Sequence, residues 1–267
     1  MYYTKIREDL SFQKWRNYTP LDSQYIRYAE SNPSVVAAGH KIEDVYYCFS
    51  NARCSFMNAG AGNFGDLSAD DELSKKYTKS HFLINAVLEY AICLDLSWQV
   101  IWAYIQPASF EYLVKRDSEE MEKECTRENI HIQLNCAISQ NGIGASQAAR
   151  LKAKMKQFDD DVDVIMLRSI YNMLKHHGTI HFSDLHVQMD SLLIEIDGRS
   201  IPTLSRKVYS FDEVERTLHE YHNKFIQYFD GIIKEIMPTD YQETKVGLVQ
   251  YLRTAMRMDA LLNGHQQ

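Results

Sequence analysis

The chain has 267 residues, enough for one large domain or two small ones. Hydrophobic residues make up 45% and charged residues 24%, which excludes a disordered or fibrous chain and fits a folded soluble one. The formal net charge of −7 argues against duplex binding through a broad positive face, and leaves a local basic site as the route to nucleic acid. Five prolines and eleven glycines are few, which favours long helices over many short strands. The five cysteines (Cys48, Cys54, Cys93, Cys125, Cys136) form no C-x-x-C pair and read as reduced thiols of a cytoplasmic protein.

Residues 1 to 33 are aromatic and charged without clear period, broken by Pro20 and Pro33. They read as an arm with one short helix, packed on a single helical domain over residues 34–267. The first ten residues carry no apolar signal region. A helical pattern runs from Ser34 to about Met57. The glycine-rich stretch 58–66 has no Lys-Ser/Thr after it and no strand before it, so it is a connector and not a phosphate loop.

Ser68 opens S-A-D-D, a helix start with acids in the first turn, and the helix is expected to reach Gln106 before Pro107, with an interruption near Lys79. Its run Phe82 to Ile105 approaches membrane-spanning length. It holds Asn85, Glu89, Asp95 and Gln99, so a buried helix of a protein outside the membrane is expected. Those four residues form a narrow polar seam. It either orients a site histidine, faces solvent, or bonds to other helices. One further helix is expected over residues 109–138, with a solvated charge run in its middle, followed by a turn at Asn141-Gly142 and a basic helix from Ala145 to Gln157.

The stretch Leu167 to Gly178, L-R-S-I-Y-N-M-L-K-H-H-G, carries the functional reading. At about 100° per residue, Arg168, Asn172 and His176 fall at about 0°, 40° and 80°, with Lys175 at about 340°. Leu167, Ile170, Tyr171 and Leu174 take the opposite arc as a core stripe. Asp159 to Asp163 precede this helix and Lys175, His176 and His177 end it, matching the helix dipole at both termini. A cation, an amide and an imidazole on one face make a phosphate site. The alternative is a solvated helix face with polar ends. Metal binding by His176, His177, His181 and His186 is not expected, because Gly178 breaks the helix between them and no Cys or Glu completes a ligand spacing.

After Gly178 the period changes to two. S-L-L-I-E-I, Asp197-Gly198 and R-S-I-P-T predict an antiparallel hairpin at about 191–209, with Pro202 at an edge. Ser210 opens S-F-D-E, a capping box, with Tyr209 and Val214 as its hydrophobic staple. That helix is expected to run to Met237, and T-D-Y-Q to cap a last one reaching Leu262.

The apolar helix Y-A-I-C-L-D-L-S-W-Q-V-I-W-A-Y-I, followed by R-S-I-Y-N-M-L-K-H-H-G, resembles the HEPN superfamily over roughly residues 35–237. The nearest likeness is to a branch of largely uncharacterised bacterial members. The resemblance implies a helical bundle that commonly dimerises. It also implies action on RNA or nucleotides, for many members as metal-independent ribonucleases of defence or toxin–antitoxin systems. No cofactor and no membrane are implied, and an antitoxin protein is a candidate partner.

The family pattern of an arginine, a polar residue and a later histidine places His176 at the histidine and Asn172 at the polar residue. Tyr171 stands where the arginine is usual, and Arg168 lies one turn earlier. The implied roles are His176 as general base or acid, Arg168 as charge stabiliser and Asn172 as orienting group. Lys175, His177 and Tyr171 would be substrate-binding. The alternative within the fold is a noncatalytic binding or oligomerisation module with a degenerate site. A single histidine per helix predicts a homodimer with the Arg168–Asn172–His176 face at or beside its two-fold axis.

Overall fold

The computed structural model describes residues 2–106, 110–115, 122–140, 144–185, 191–205 and 207–263. The fold is mainly α with a small antiparallel hairpin, as the sequence predicts. The N-terminal region holds α1 (Tyr2–Glu8), a 3-10 segment (Ser11–Tyr18) and α2 (Asp22–Tyr28), where one short helix is expected from the sequence. Helices of seven residues complete barely two turns, too few to print a period.

Helix α3 (Pro33–Ala59) opens on its proline, and α4 is Glu72–Ile105. Helix α4 starts later than its sequence suggests. The Asp71 carboxylate accepts the Ser74 N–H at 2.8 Å, whereas the Ser68 hydroxyl turns to the Ala69 carbonyl. Helix α4 is unbroken at Lys79. It is long and apolar enough to cross a membrane, and 50% of its most apolar window is buried against the rest of the protein. Its expected stop, Pro107, lies outside the described residues.

The helix expected over 109–138 is instead α5 (Phe110–Lys115) and α6 (Arg127–Ser139). Thr126 restarts the helix, its hydroxyl accepting the Asn129 N–H at 3.1 Å. Most of the charge run between them, and the Asn141-Gly142 turn, lie outside the described residues. Helices α7 (Ala145–Asp159) and α8 (Val162–His176) follow.

Strands β2 (Ser191–Ile196) and β3 (Arg199–Ser205) form the antiparallel hairpin. Asp197 and Gly198 have φ of 51° and 70°, the two positive values a type I′ turn needs. The hairpin ends at Ser205. Residues 208–209, expected within it, form β4 (Val208–Tyr209) and pair in parallel with β1 (His181–Phe182). Helix α9 (Phe211–Ile236) begins at the predicted capping box: the Ser210 hydroxyl accepts the Glu213 N–H at 3.1 Å, and the Glu213 carboxylate accepts the Ser210 N–H at 3.5 Å. T-D-Y-Q does not cap α10 (Leu248–Asn263). It forms a turn that drives Tyr241 into the interior.

The chain divides into two compact units. One gathers Met1–Leu10, Phe49–Ala91 and Asp159–Phe225; the other gathers Ser11–Cys48, Ile92–Phe158 and Ile226–Gln267. The division does not follow a boundary at residue 33, because the first ten residues and the rest of that region fall in different units.

The first unit is built on stacked rings. Phe49 lies 5.5 Å from both Tyr90 and Phe225, and Tyr221 stacks on Phe225 at 5.8 Å. His222 sits fully buried among them, its ring 4.8 Å from Phe49 and its Nδ1 2.7 Å from the Tyr90 hydroxyl. Its Nε2 lies 3.6 Å from an Asp9 carboxylate oxygen.

The second unit is centred on Trp15 and Tyr241, both fully buried. The Trp15 indole donates to Asp230 at 2.8 Å and meets Phe229 edge-on at 4.8 Å. Tyr241 stacks on Tyr28 and Tyr18, and its hydroxyl donates to the Tyr18 carbonyl at 3.0 Å. Gly39 of α3 makes room for it: a Cβ there would collide with the Tyr241 hydroxyl and the Tyr18 carbonyl.

Burial pushes the His222 pKa from 6.5 down to about 4; the Asp9 charge opposes this, and Arg53 and His219 add to it. The unfolded chain therefore takes the proton first. The stability contributed by neutral His222 is complete above about pH 6.5 and is lost as pH falls towards 4. Urea unfolding midpoints measured from pH 7.5 to 4 should fall through this window, and His222→Gln should flatten that slope. An unchanged slope in the variant would assign the pH dependence to other groups.

Candidate functional site

Helix α8 is positioned at its first turn. Asp161 is the N-cap, its carboxylate accepting the Asp163 N–H at 2.9 Å. Lys224 of α9 donates to Asp161 at 2.7 Å and to Asp163 at 2.5 Å. Burial would raise the Asp161 pKa, but the Lys224 ammonium and the Asp163 N–H outweigh it and hold the carboxyl below its usual value. This clamp fixes how α8 is rotated. Val164, Leu167 and Ile170 are buried. Asn172, Lys175 and His176 are exposed, while Arg168, Tyr171 and Leu174 are half-buried. The predicted phase is observed, with Leu174 less buried than a core position.

An open groove of about 510 Å³ runs along this helix, lined by Asp159, Ile165, Arg168, Ser169, Asn172, Met173 and His177. Of the predicted residues, Arg168, Asn172 and His177 come together there. His176 is not among the lining residues. It ends α8, and its ring stands 6.5 Å from that of His177 at a steep angle. His177 has left the helix, with φ −124° and ψ −2°, and the angular count no longer applies to it. Gly178 then takes a positive φ of 115°. Lys175 and Tyr171 do not line the groove; the Lys175 ammonium sits 5.7 Å over the Tyr171 ring.

Two groups at this site have roles that the sequence does not indicate. Asp159, with only 4% of its side chain exposed, places a carboxylate oxygen 3.6 Å from the Arg168 guanidinium. Lys207, 38 residues along the chain, donates to the Ser169 hydroxyl at 3.0 Å and lies 5.5 Å over the Tyr209 ring. The acidic run F-D-D-D-V-D signals a helix start, but not which acid caps α8 and which folds beneath Arg168. No local signal points to Lys207.

The groove thus combines a guanidinium, an amide, an imidazole and a hydroxyl with an ammonium at its edge. Ile165 and Met173 supply apolar wall. Cations and donors suit a phosphate, and the apolar wall suits a sugar or base. In the polar seam of α4, Glu89 accepts from the Ser55 hydroxyl at 2.7 Å, and the Asn85 amide is 3.0 Å from His81. Among the described residues, no cluster of three or more His, Cys, Asp or Glu is placed to hold a metal ion.

Comparison of the chain with family models, curated proteins and solved structures gives no match.

Replacing Asp161 with Ala removes the cap and one of the two partners of Lys224. It should cost about 1–2 kcal/mol of stability. Hydrogen exchange should show faster exchange in the first turn of α8, and unchanged protection there would mean that Asp163 alone anchors the helix.

Proposed function

We propose that this chain is a HEPN-like cytoplasmic protein that binds RNA or a nucleotide through the groove on α8. The observation that carries the reading is the convergence of Arg168, Asn172 and His177 on one groove, with Lys207 at its edge through Ser169. The resemblance of L-R-S-I-Y-N-M-L-K-H-H-G to the HEPN pattern supports it independently of the geometry. None of the five cysteines is in a disulfide, which accords with a reducing compartment.

Binding is the first claim, because Arg168 already faces the Asp159 carboxylate and Tyr171 stands where the family usually has its arginine. A phosphate would compete with Asp159 for the guanidinium.

Cleavage is the second claim, favoured by the adjacent rings of His176 and His177. One neutral imidazole would take the proton from an RNA 2′-hydroxyl as its oxygen attacks phosphorus. The other, protonated, would give a proton to the departing 5′-oxygen. No metal is needed for this route. The setting would be a bacterial defence or toxin–antitoxin system, with an antitoxin protein as partner.

The same reading makes the chain a homodimer with the α8 face at or beside the two-fold axis. Val162 and Ile165, 72% and 53% exposed, supply apolar surface on that helix for such a contact.

Fluorescence anisotropy with a labelled single-stranded RNA at low salt tests binding. Asn172→Asp, which puts a negative charge in the groove, should weaken binding at least tenfold, and Lys207→Ala several-fold. Affinity should fall as salt rises. No binding by the wild type at 100 µM protein would end this reading.

If the wild type also cleaves the RNA without divalent metal, His176→Ala should abolish cleavage and leave binding intact. Cleavage undiminished in that variant would remove His176 from the mechanism.

A further inference from the structure

Helix α10 leaves much of its apolar surface uncovered. The side that meets the protein carries Thr254, buried, with Met258 and Leu261 half-buried beside it. The Gln250 amide donates to the Ile26 and Arg27 carbonyls at 3.1 and 3.3 Å, and the Thr254 hydroxyl donates to Ile26 at 3.4 Å. The Arg257 guanidinium lies 4.8 Å over the Phe110 ring and 3.9 Å from Glu30. Six large apolar residues point away. Leu248, Val249 and Met256 are 72–73% exposed, Leu262 61%, and Tyr251 and Leu252 50%. A surface helix normally buries its apolar stripe and hydrates the other side. Thr254 is the one residue of α10 that is fully buried, and among the described residues six large apolar side chains of this helix stay half or more exposed.

We propose that α10 is a self-association surface, which pairs antiparallel with α10 of a second copy of this chain. Two observations select a second copy as the occupant. First, Leu248, Leu252, Ala255, Asp259 and Leu262 repeat at spacings of four, three, four and three, the seam of a helix that packs against another helix. Read backwards, that seam falls within one residue of itself. Leu248 then meets Leu262 of the other copy at both ends, and the small Ala255 meets its own counterpart at the two-fold axis.

Second, the area suffices. Six large apolar side chains that expose about 100 Å² each give roughly 600 Å² per copy, or roughly 1,200 Å² for the pair, the lower end of stable interfaces.

The proposal rests on α10 alone, within one of the two units of the chain. It does not depend on the RNA reading. If both surfaces operate, each class of variant removes one contact.

Sedimentation velocity of the full chain between 1 and 100 µM reads the proposal directly. The wild type should self-associate. Leu252→Glu with Met256→Glu should weaken the α10 contact at least tenfold without loss of helical circular dichroism. Ile165→Glu on α8 should leave that contact in place.

Should the glutamate variants fail to fold, Ala255→Cys in a background with Cys54→Ser and Cys136→Ser gives a second readout. Mild oxidation should then link two copies through residue 255. A monomeric wild type at 100 µM, self-association undiminished in the folded glutamate variant, or no cross-link at residue 255 would each overturn the proposal.

Discussion

The candidate site depends on one ammonium group. Lys224 reaches from α9 to the two acids at the start of α8, one capping the helix and the other in its first turn. Rotation about a helix axis is the variable that decides which residues a helix offers to solvent. A slip of one residue would turn α8 by about 100° and exchange its core stripe for its polar face. Burial of Val164, Leu167 and Ile170 sets the rotation by packing. The lysine clamp sets it by charge, at the end remote from the histidines. Because both act on the same helix, Arg168 and Asn172 are held by the scaffold and not by each other.

That division explains what the sequence could reveal. Helix α8 has fifteen residues and about four turns, enough for its phase to be read from the spacing of Leu167, Ile170 and Leu174. The Asp197-Gly198 turn and the Ser210 capping box are equally local, since each needs only a few neighbouring residues, and both stand in the structure as read. The angular count ends with the helix: His176, exposed at its last position, does not line the groove, whereas His177, one residue past the helix end, does. Lys207 was illegible for a different reason: only the pairing of β1 with β4 and the return of the chain after the hairpin bring it to Ser169.

An anion site in a chain of net charge −7 needs local relief from the surrounding field. Arg168, Lys207, His176 and His177 gather positive and titratable groups at one end of one unit. Asp159 works the other way. Its buried carboxylate keeps Arg168 in place before any ligand arrives, which lowers the entropy cost of ordering a long side chain. It also reduces the charge that a phosphate would feel. A site arranged in this manner is pre-organised at the expense of raw attraction. That balance suits recognition of a phosphate better than stabilisation of a short-lived charge, for which an arginine without a carboxylate beside it would serve more strongly.

Helices α9 and α10 show how the same pattern can serve two ends. Helix α9 turns Val214, Leu218, Tyr221, Phe225 and Phe229 inward, and every one of them is buried. Its hydrophobic stripe is spent on the fold. Helix α10 has a stripe of similar spacing, yet beside half-buried Met258 and Leu261 it is held by polar groups: Gln250 and Thr254 bond to the protein and Arg257 lies over the Phe110 ring. The N–H and O–H groups of that side find carbonyls at the α2 end, where a helix terminus leaves acceptors free of helical partners. Turning α10 to bury Leu248 and Leu252 would remove those donors and carry Arg257 away from Glu30 and Phe110. The polar bonds within the chain thus oppose that rotation, and they leave an apolar surface whose burial is open to association.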